Sequence, residues 1–379
     1  MKKFIACLIF SCLFAGSSFA DVAYNTSNGM LGLISISALD EVSSPVIHYR
    51  NAGSDSLLAT YADTGLANLL LLKRSYDTAN TLGDNALVFN TFDMSAPMYD
   101  FILEDVYGSL KVGYSYNGKS VFIASQAGST ITEYDSSTFT YLNSCSADIE
   151  GVVEDMLVDR GFIYLLVTPT ASIDMSAVIR FDGQLTDLTQ SFAIIELPEG
   201  SKCMTTLGNL YTGIGHSKGV IAMTNRAFVD VVETSEPVKA ICMDYNIENF
   251  GFYYITQTEN EGVYNTSLWH FDGIGAKLLD TQQAINPNCK LIYDYENSIM
   301  SAIMNEKIYI YSSTGDKLLA AYDSAALGGV PVNVAITTVI TSENYSNSSS
   351  GSSCNITGAG FILMILSLAA LKFLRSEKI

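Results

Sequence analysis

Positive charge is scarce in this chain: 20 Lys and Arg stand against 39 Asp and Glu, a formal net charge of −19. Five of the basic residues (Lys2, Lys3, Lys372, Arg375, Lys378) and one acid (Glu377) lie at the two ends, so the stretch between them carries a net −23. A surface this acidic repels phosphate backbones, and nucleic acid is excluded as a partner. Histidine is scarcer still. His48, His216 and His270 are too few and too scattered for a metal cluster. There is one tryptophan, Trp269, and seven prolines, with no proline-rich linker to divide the body into separate domains. No long 3.6-residue periodicity is present, which excludes a helical bundle. EF-hand, P-loop, dinucleotide and triad motifs are absent as well.

Tyr, Phe, Val, Ile and Thr are abundant, interrupted by Gly, Asn, Asp and Ser. Ser120–Ser125, Phe162–Thr168, Gly219–Thr224, Phe252–Thr256 and Lys307–Ser312 read as short strands. The body is therefore all-β, and internal repetition narrows it further. Val178-Ile179-Arg180-Phe181-Asp182-Gly183 returns 90 residues later as Leu268-Trp269-His270-Phe271-Asp272-Gly273. Fainter copies are Phe92-Asp93-Met94, Glu133-Tyr134-Asp135-Ser136, Val229-Asp230 and Ile310-Tyr311-Ser312. Asp105, Asp155, Asp244 and Asp294 form a second register, separated by 50, 89 and 50 residues. Strand-built repeats of ~40–50 residues are the mark of a β-propeller. One four-stranded blade cannot cover both its faces, so ring closure completes the core. The expectation is a propeller over residues 21–341 of about seven four-stranded blades, with the strand near Leu31 to Ala38 tying the ring to the last blade.

Five residues or groups of residues invite a chemical reading. Gly215-His216-Ser217-Lys218-Gly219 has the G-x-S-x-G form of a nucleophile elbow, but Val220-Ile221-Ala222-Met223 after it reads as a strand where the elbow needs a helix. A turn between strands is expected. His270 takes the place of Arg180 in the matching repeat, hence strand surface, and Trp269 takes that of Ile179, hence core. Asp105, Asp155, Asp244 and Asp294, if equivalent in different blades, could converge on the channel rim as Ca²⁺ ligands. Their plainer role is to bond backbone amides in loops. Cys145, Cys203, Cys242 and Cys289 permit two disulfides in any of three pairings, or four buried thiols.

The ends speak of location. Lys2–Lys3, the apolar run Phe4 to Gly16 and Ser18-Phe19-Ala20 have the order of a signal peptide over residues 1–20, cleaved between Ala20 and Asp21. Residues 342–355 are a Ser/Gly-rich spacer containing Cys354, residues 356–374 are mainly apolar and uncharged apart from Lys372, and 375–379 are a short charged end. Ile356 to Leu371 rises roughly 24 Å as a helix. That is short for a membrane span, and Lys372 can lengthen it by snorkelling. The basic residues after it place this end in the cytoplasm.

Spacer, lone Cys354, apolar helix and basic tip together resemble the bacterial C-terminal sorting signals of the Synerg-CTERM type. The resemblance covers only about the last thirty residues. It implies a sorting peptidase that acts on the tail, retention of Cys354 as the anchor, and a place on the bacterial cell envelope or surface. The expected function is a cell-surface module binding an extracellular protein or glycan. The alternatives are a surface hydrolase or lyase at the channel mouth, and a purely structural envelope protein.

Overall fold

A computed structural model of the chain describes residues 19–38, 41–54, 56–63, 66–76, 82–90, 94–103, 110–115, 118–126, 129–159, 161–171, 175–183, 185, 194–207, 211–223, 228–244, 251–294, 299–312 and 317–339. Within it the strands fall into seven antiparallel sheets, six of them meanders of four consecutive strands. Blade 2 comprises β5 (Leu57–Asp63), β6 (Leu66–Tyr76), β7 (Leu82–Asn90) and β8 (Tyr99–Leu103); blade 3 comprises β9 (Lys111–Tyr114), β10 (Ser120–Ser125), β11 (Thr130–Asp135) and β12 (Tyr141–Ser146). Blade 4 is β13 (Gly151–Asp159), β14 (Phe162–Pro169), β15 (Ser176–Asp182) and β16 (Ile194–Leu197); blade 5 is β17 (Cys203–Leu207), β18 (Tyr211–His216), β19 (Gly219–Met223) and β20 (Phe228–Glu233). Blade 6 holds β21 (Val238–Met243), β22 (Phe252–Asn260), β23 (Val263–Phe271) and β24 (Ala276–Ala284); blade 7 holds β25 (Cys289–Asp294), β26 (Ile299–Met304), β27 (Lys307–Ser312) and β28 (Lys317–Tyr322).

Blade 1 is built from both ends of the body: β1 (Phe19–Thr26), β2 (Leu31–Ala38), β3 (Glu41–Val42) and β4 (Val46–Tyr49) from the start, and β29 (Pro331–Val339) from the finish. The strands β5, β9, β13, β17, β21, β25 and β29 touch one another in that order, and β29 touches β5 again. They form the inner ring of a closed seven-bladed β-propeller.

The sequence explains why such blades stack. In β6, Leu69-Leu70-Leu71-Leu72 is apolar at every position, and alternate side chains leave a strand on opposite faces. Leu69 and Leu71 join Ala23, Leu31 and Phe89 in the core between blades 1 and 2. Leu70 and Leu72 join Val121 and Ile123 in the core between blades 2 and 3. Phe122 and Ala124, on the other face of β10, pack on Ile163 and Leu165 of blade 4. Seven such clusters fill the seven interfaces around the ring. A second strand buried on both faces therefore reads as a continuous apolar run.

Closure differs from the expectation in one respect. Leu31–Ala38 is β2 and pairs within blade 1; the strand that ties the ends together is β29, paired with β1 from Phe19↔Val339 to Thr26↔Pro331. A helical turn, α1 (Ser324–Leu327), leads the chain from the outer strand of blade 7 back to the axis. Asp323 caps it by accepting from the Ala326 amide at 2.9 Å, and Gly328 ends it at φ 74°. The expected cleavage between Ala20 and Asp21 falls inside β1, where Ala20 pairs with Ile36 and Thr338. Residues 1–18, the spacer, Cys354 and the expected membrane helix at 356–374 lie outside the described residues. Among the described residues no helix is long and apolar enough to cross a membrane.

The repeat register holds for most copies. Val178–Asp182 and Leu268–Phe271 are both in third strands, β15 and β23, of blades 4 and 6. Glu133–Asp135 and Ile310–Ser312 occupy the same place in β11 and β27. Val229–Asp230 does not. It lies in β20, the outermost strand of blade 5, whose third strand is β19.

Candidate functional site

The inner strands carry the site. Second strands β10 and β26 are buried at every residue, whereas β9 and β25 are half-exposed along their whole length. A strand buried against its blade yet open to water lines the channel. Because each blade repeats the same meander by rotation about the axis, the inner strands run in one direction and begin at one end of that channel.

Four of the seven inner strands carry a lysine within one residue of their start. Lys111 is the first residue of β9, Lys202 immediately precedes β17, and Lys239 and Lys290 are second in β21 and β25. They converge. Burial is the first cause that lowers the Lys111 amine, to about 8; the charge of Lys290 lowers it further, while Asp155 and Glu154 oppose. Lys111 sits in blade 3 and Lys290 in blade 7, on opposite sides of the ring, so their charges meet across the channel. Lys239 and Lys290 both bear on the thiols of Cys203 and Cys289, in blades 5 and 7. Four of the chain's 20 basic residues stand at this end of the channel.

Blade 4 supplies the counter-charge. Glu154 of β13 pairs with Lys202 and accepts from the Thr168 hydroxyl at 3.0 Å. Asp155 follows at a bulge, where the register of β13 slips. One of its oxygens accepts from its neighbour's amide, Met156 N, at 2.9 Å, and the other from Met204 N in β17 at 2.8 Å. Asp155 thus bonds blade 4 to blade 5, and Thr205 Oγ1 repeats the device by accepting from Met243 N of blade 6 at 3.2 Å.

Of the four aspartates proposed as Ca²⁺ ligands, the three that are described are not brought together. Asp105 lies outside the described residues. Asp155 bonds backbone amides, the plainer role foreseen for it. Asp244, at the end of β21, is 1% exposed, and its Oδ2 lies 2.9 Å from His270 Nε2. Asp294 ends β25, and its structural counterpart in blade 4 is Asp159, the last residue of β13, rather than Asp155. Among the described residues no group of three or more His, Cys, Asp or Glu could hold a metal ion.

His270 is not on the strand surface as expected. Its side chain is 12% exposed, stacked on Tyr253 with ring centroids 4.4 Å apart. Trp269 is half-buried against the core between blades 5 and 6 and parallel to Tyr254, and its indole N–H donates to Thr256 Oγ1 at 3.1 Å. Gly215–Gly219 is the two-residue hairpin between β18 and β19. A side chain at Gly215 would press into Val238 and the Cys203 sulfur, 2.5 and 2.6 Å away, and one at Gly219 would lie 1.9 Å from the Val232 carbonyl oxygen. The glycines are there for close packing. Ser217 donates to the Glu199 carbonyl at 2.8 Å, and His216 Nδ1 accepts from the Lys218 amide, so neither forms a nucleophile–base pair.

Cys145, Cys203, Cys242 and Cys289 are free thiols. Burial pushes Cys289 up to about 12 and holds Cys203 and Cys242 far above the ordinary thiol range. These are packing residues.

The sequence reading missed the lysines because it weighed strand patterns and carboxylates. A signal existed: Lys239 and Lys290 stand five and four residues ahead of Asp244 and Asp294, at matching places in a repeat, in a chain with few cations to spare.

The class these features define is a closed seven-bladed β-propeller with a lysine-lined channel end. No family model and no curated protein matches the chain. Solved structures do. A putative 6-phosphogluconolactonase from Bacteroides uniformis ATCC 8492 aligns with a TM-score of 0.57 at 13% identity, over 85% of this chain and 100% of that one. A second, from Bacteroides fragilis NCTC 9343, gives 0.55 at 12%, over 85% and 99%. The outer coat vertex of COPII on membranes gives 0.55 at 10%, over 76% and 84%. At these identities the likeness is one of fold alone.

Proposed function

We propose that the chain is an exported bacterial cell-surface propeller that binds an extracellular ligand at the lysine end of its channel, held to the envelope by a C-terminal tail whose Cys354 is the anchor. The observation that carries the binding reading is the convergence of Lys111, Lys202, Lys239 and Lys290 from four blades in a chain of net charge −19. A rigid ring presenting polar groups at a concave end is the usual form of a ligand site. The anchoring half rests on the tail sequence, Ser346 to Ile379.

Lys111 also supports a second reading, in which a hydrolase or lyase uses its lowered amine as a base. Binding is preferred because the carboxylates beside it are engaged, Glu154 with Lys202 and Asp155 with two amides, so neither is free to activate water alongside the amine.

Mass spectrometry of the mature C-terminus, comparing the native chain with Cys354→Ala, tests the anchor. A shortened tail with modified Cys354, and loss of surface retention in the variant, is expected. An unmodified tail ending at Ile379 in the native protein would overturn it. For the site, turnover that Lys111→Met abolishes would replace the binding reading with the catalytic one.

A further inference from the structure

We propose that the lysine end of the channel takes a small oxyanion carrying two or more negative charges, a polycarboxylate or a phosphate ester, gripped by Lys111 and Lys290 from opposite sides of the ring. This deepens the binding reading above and rests on it. Three observations lead to it.

The first is local charge. Among the described residues, the charges tied to this end by acting on Lys111, on the Cys203 and Cys289 thiols or on one another are four ammonium groups and two carboxylates, an excess of two positive charges inside a strongly acidic protein. The distant acidic surface repels anions from everywhere else, and low-dielectric walls focus the field where the lysines meet. A monoanion would leave half that excess unmatched; a dianion or trianion neutralises it.

The second is how the counter-charges are used. Glu154 is bonded to Lys202 and Thr168, and Asp155 gives both oxygens to backbone amides. The two carboxylates hold the frame and one lysine, and among the described residues none is bonded to Lys111, Lys239 or Lys290. Partly desolvated like charges repel one another, and Lys111 feels that repulsion from Lys290. An anion between them relieves it.

The third is the choice of side chain. All four cations are lysine and none is arginine. Ammonium groups are point charges on flexible stems that select for charge, whereas a planar guanidinium selects one bidentate geometry. Such a site accepts carboxylate and phosphate alike. The occupant is small because the inner strands ring it closely, each touching its neighbours.

The test is titration of the purified full-length chain with citrate, inorganic pyrophosphate, acetate and a sulfated polysaccharide at constant ionic strength, followed by the shift in unfolding midpoint and by calorimetry. Citrate or pyrophosphate should bind saturably and more weakly as salt rises, and the stronger of the two identifies the carboxylate or the phosphate source. Lys111→Met and Lys290→Met should each weaken binding by roughly tenfold or more, the loss expected for a desolvated charge contact. Lys218→Met, in the exposed hairpin turn, should leave it unchanged. Should the variants fail to fold, amine acylation of the wild-type chain, mapped by mass spectrometry, gives a second readout: citrate should protect Lys111 and Lys290 and leave Lys218 reactive. Acetate binding as tightly as citrate, binding only of the polysaccharide, full affinity in both lysine variants, or no protection would each overturn the proposal. Binding of a neutral glycan or a protein, with no response to anions, would overturn this inference and leave the broader binding reading standing.

Discussion

Replacing Lys111 with methionine should stabilise the empty protein at neutral pH. In the unfolded chain this lysine has its ordinary value near 10.5, and in the folded ring it is drawn down to about 8. Below about pH 8 both states carry the proton, and the folded state bears the whole cost of holding it, on the order of 3 kcal/mol for a drop of this size. Lys111 is only half-buried, so water screens part of that cost, leaving about 1–2 kcal/mol. Between the two values the unfolded state binds a proton that the folded state does not, so wild-type stability rises with pH across that window. Above it the cost has gone. Methionine keeps a similar stem and removes the charge, so Lys111→Met should gain about 1–2 kcal/mol at around pH 6.5, and the gain should shrink as pH passes from about 8 toward 10.

Urea unfolding of wild type and variant, in parallel at several pH values without multivalent anions, measures it. Taking the difference between the two proteins cancels the buried tyrosines and thiols, which titrate in the same range. A variant less stable than wild type at neutral pH, or a difference that does not change with pH, would refute the reasoning. A stabilising loss of charge would also show that the lysine is retained at a cost to the fold, as functional groups often are.

Further outcomes follow from other parts of the ring. Asp155→Ala strands the Met204 amide between blades 4 and 5 and should cost about 1–3 kcal/mol, read from the urea midpoint, while Asp155→Asn, which can still accept from one amide, should cost less. Removing Pro331–Val339 deprives blade 1 of its inner strand, and the shortened chain should lose its cooperative unfolding transition and near-ultraviolet circular dichroism; a sharp transition in that chain would contradict closure by β29. Cys145, Cys203 and Cys242 should resist a thiol reagent at about pH 8 until denaturant is added, and labelling of the folded protein mapped to them would show the interfaces to be looser than described. Leu70→Ala, at the contact between blades 2 and 3, should cost about 2–5 kcal/mol, whereas Leu318→Ala, 46% exposed on β28, should change the midpoint little.

The fold was legible because a propeller is written locally. Ser120–Ser125 and Lys307–Ser312 were visible as strands, and both have those bounds in the structure. The Phe-Asp-Gly ends of β15 and β23 exposed the period because each blade repeats one meander. Closure was misread since Leu31–Ala38 and Pro331–Val339 have the same apolar strand character. Nothing local says which of them faces the axis. His270 was misjudged for a similar reason: its partner Asp244 is 26 residues away, on the strand two places inward, and pairing across a blade follows from register rather than from neighbours in sequence.

By itself the sequence determined an acidic all-β body of about seven repeated blades, since strand alternation, turn residues and net charge are properties of short stretches. It also wrote the order of the tail around Cys354. The site was decided by tertiary structure alone. Lys111 and Lys290 are 179 positions apart, and no pattern along the chain joins them. Only rotation about a closed axis brings the starts of their strands to the same opening, where like charges that water would keep apart must share one confined space.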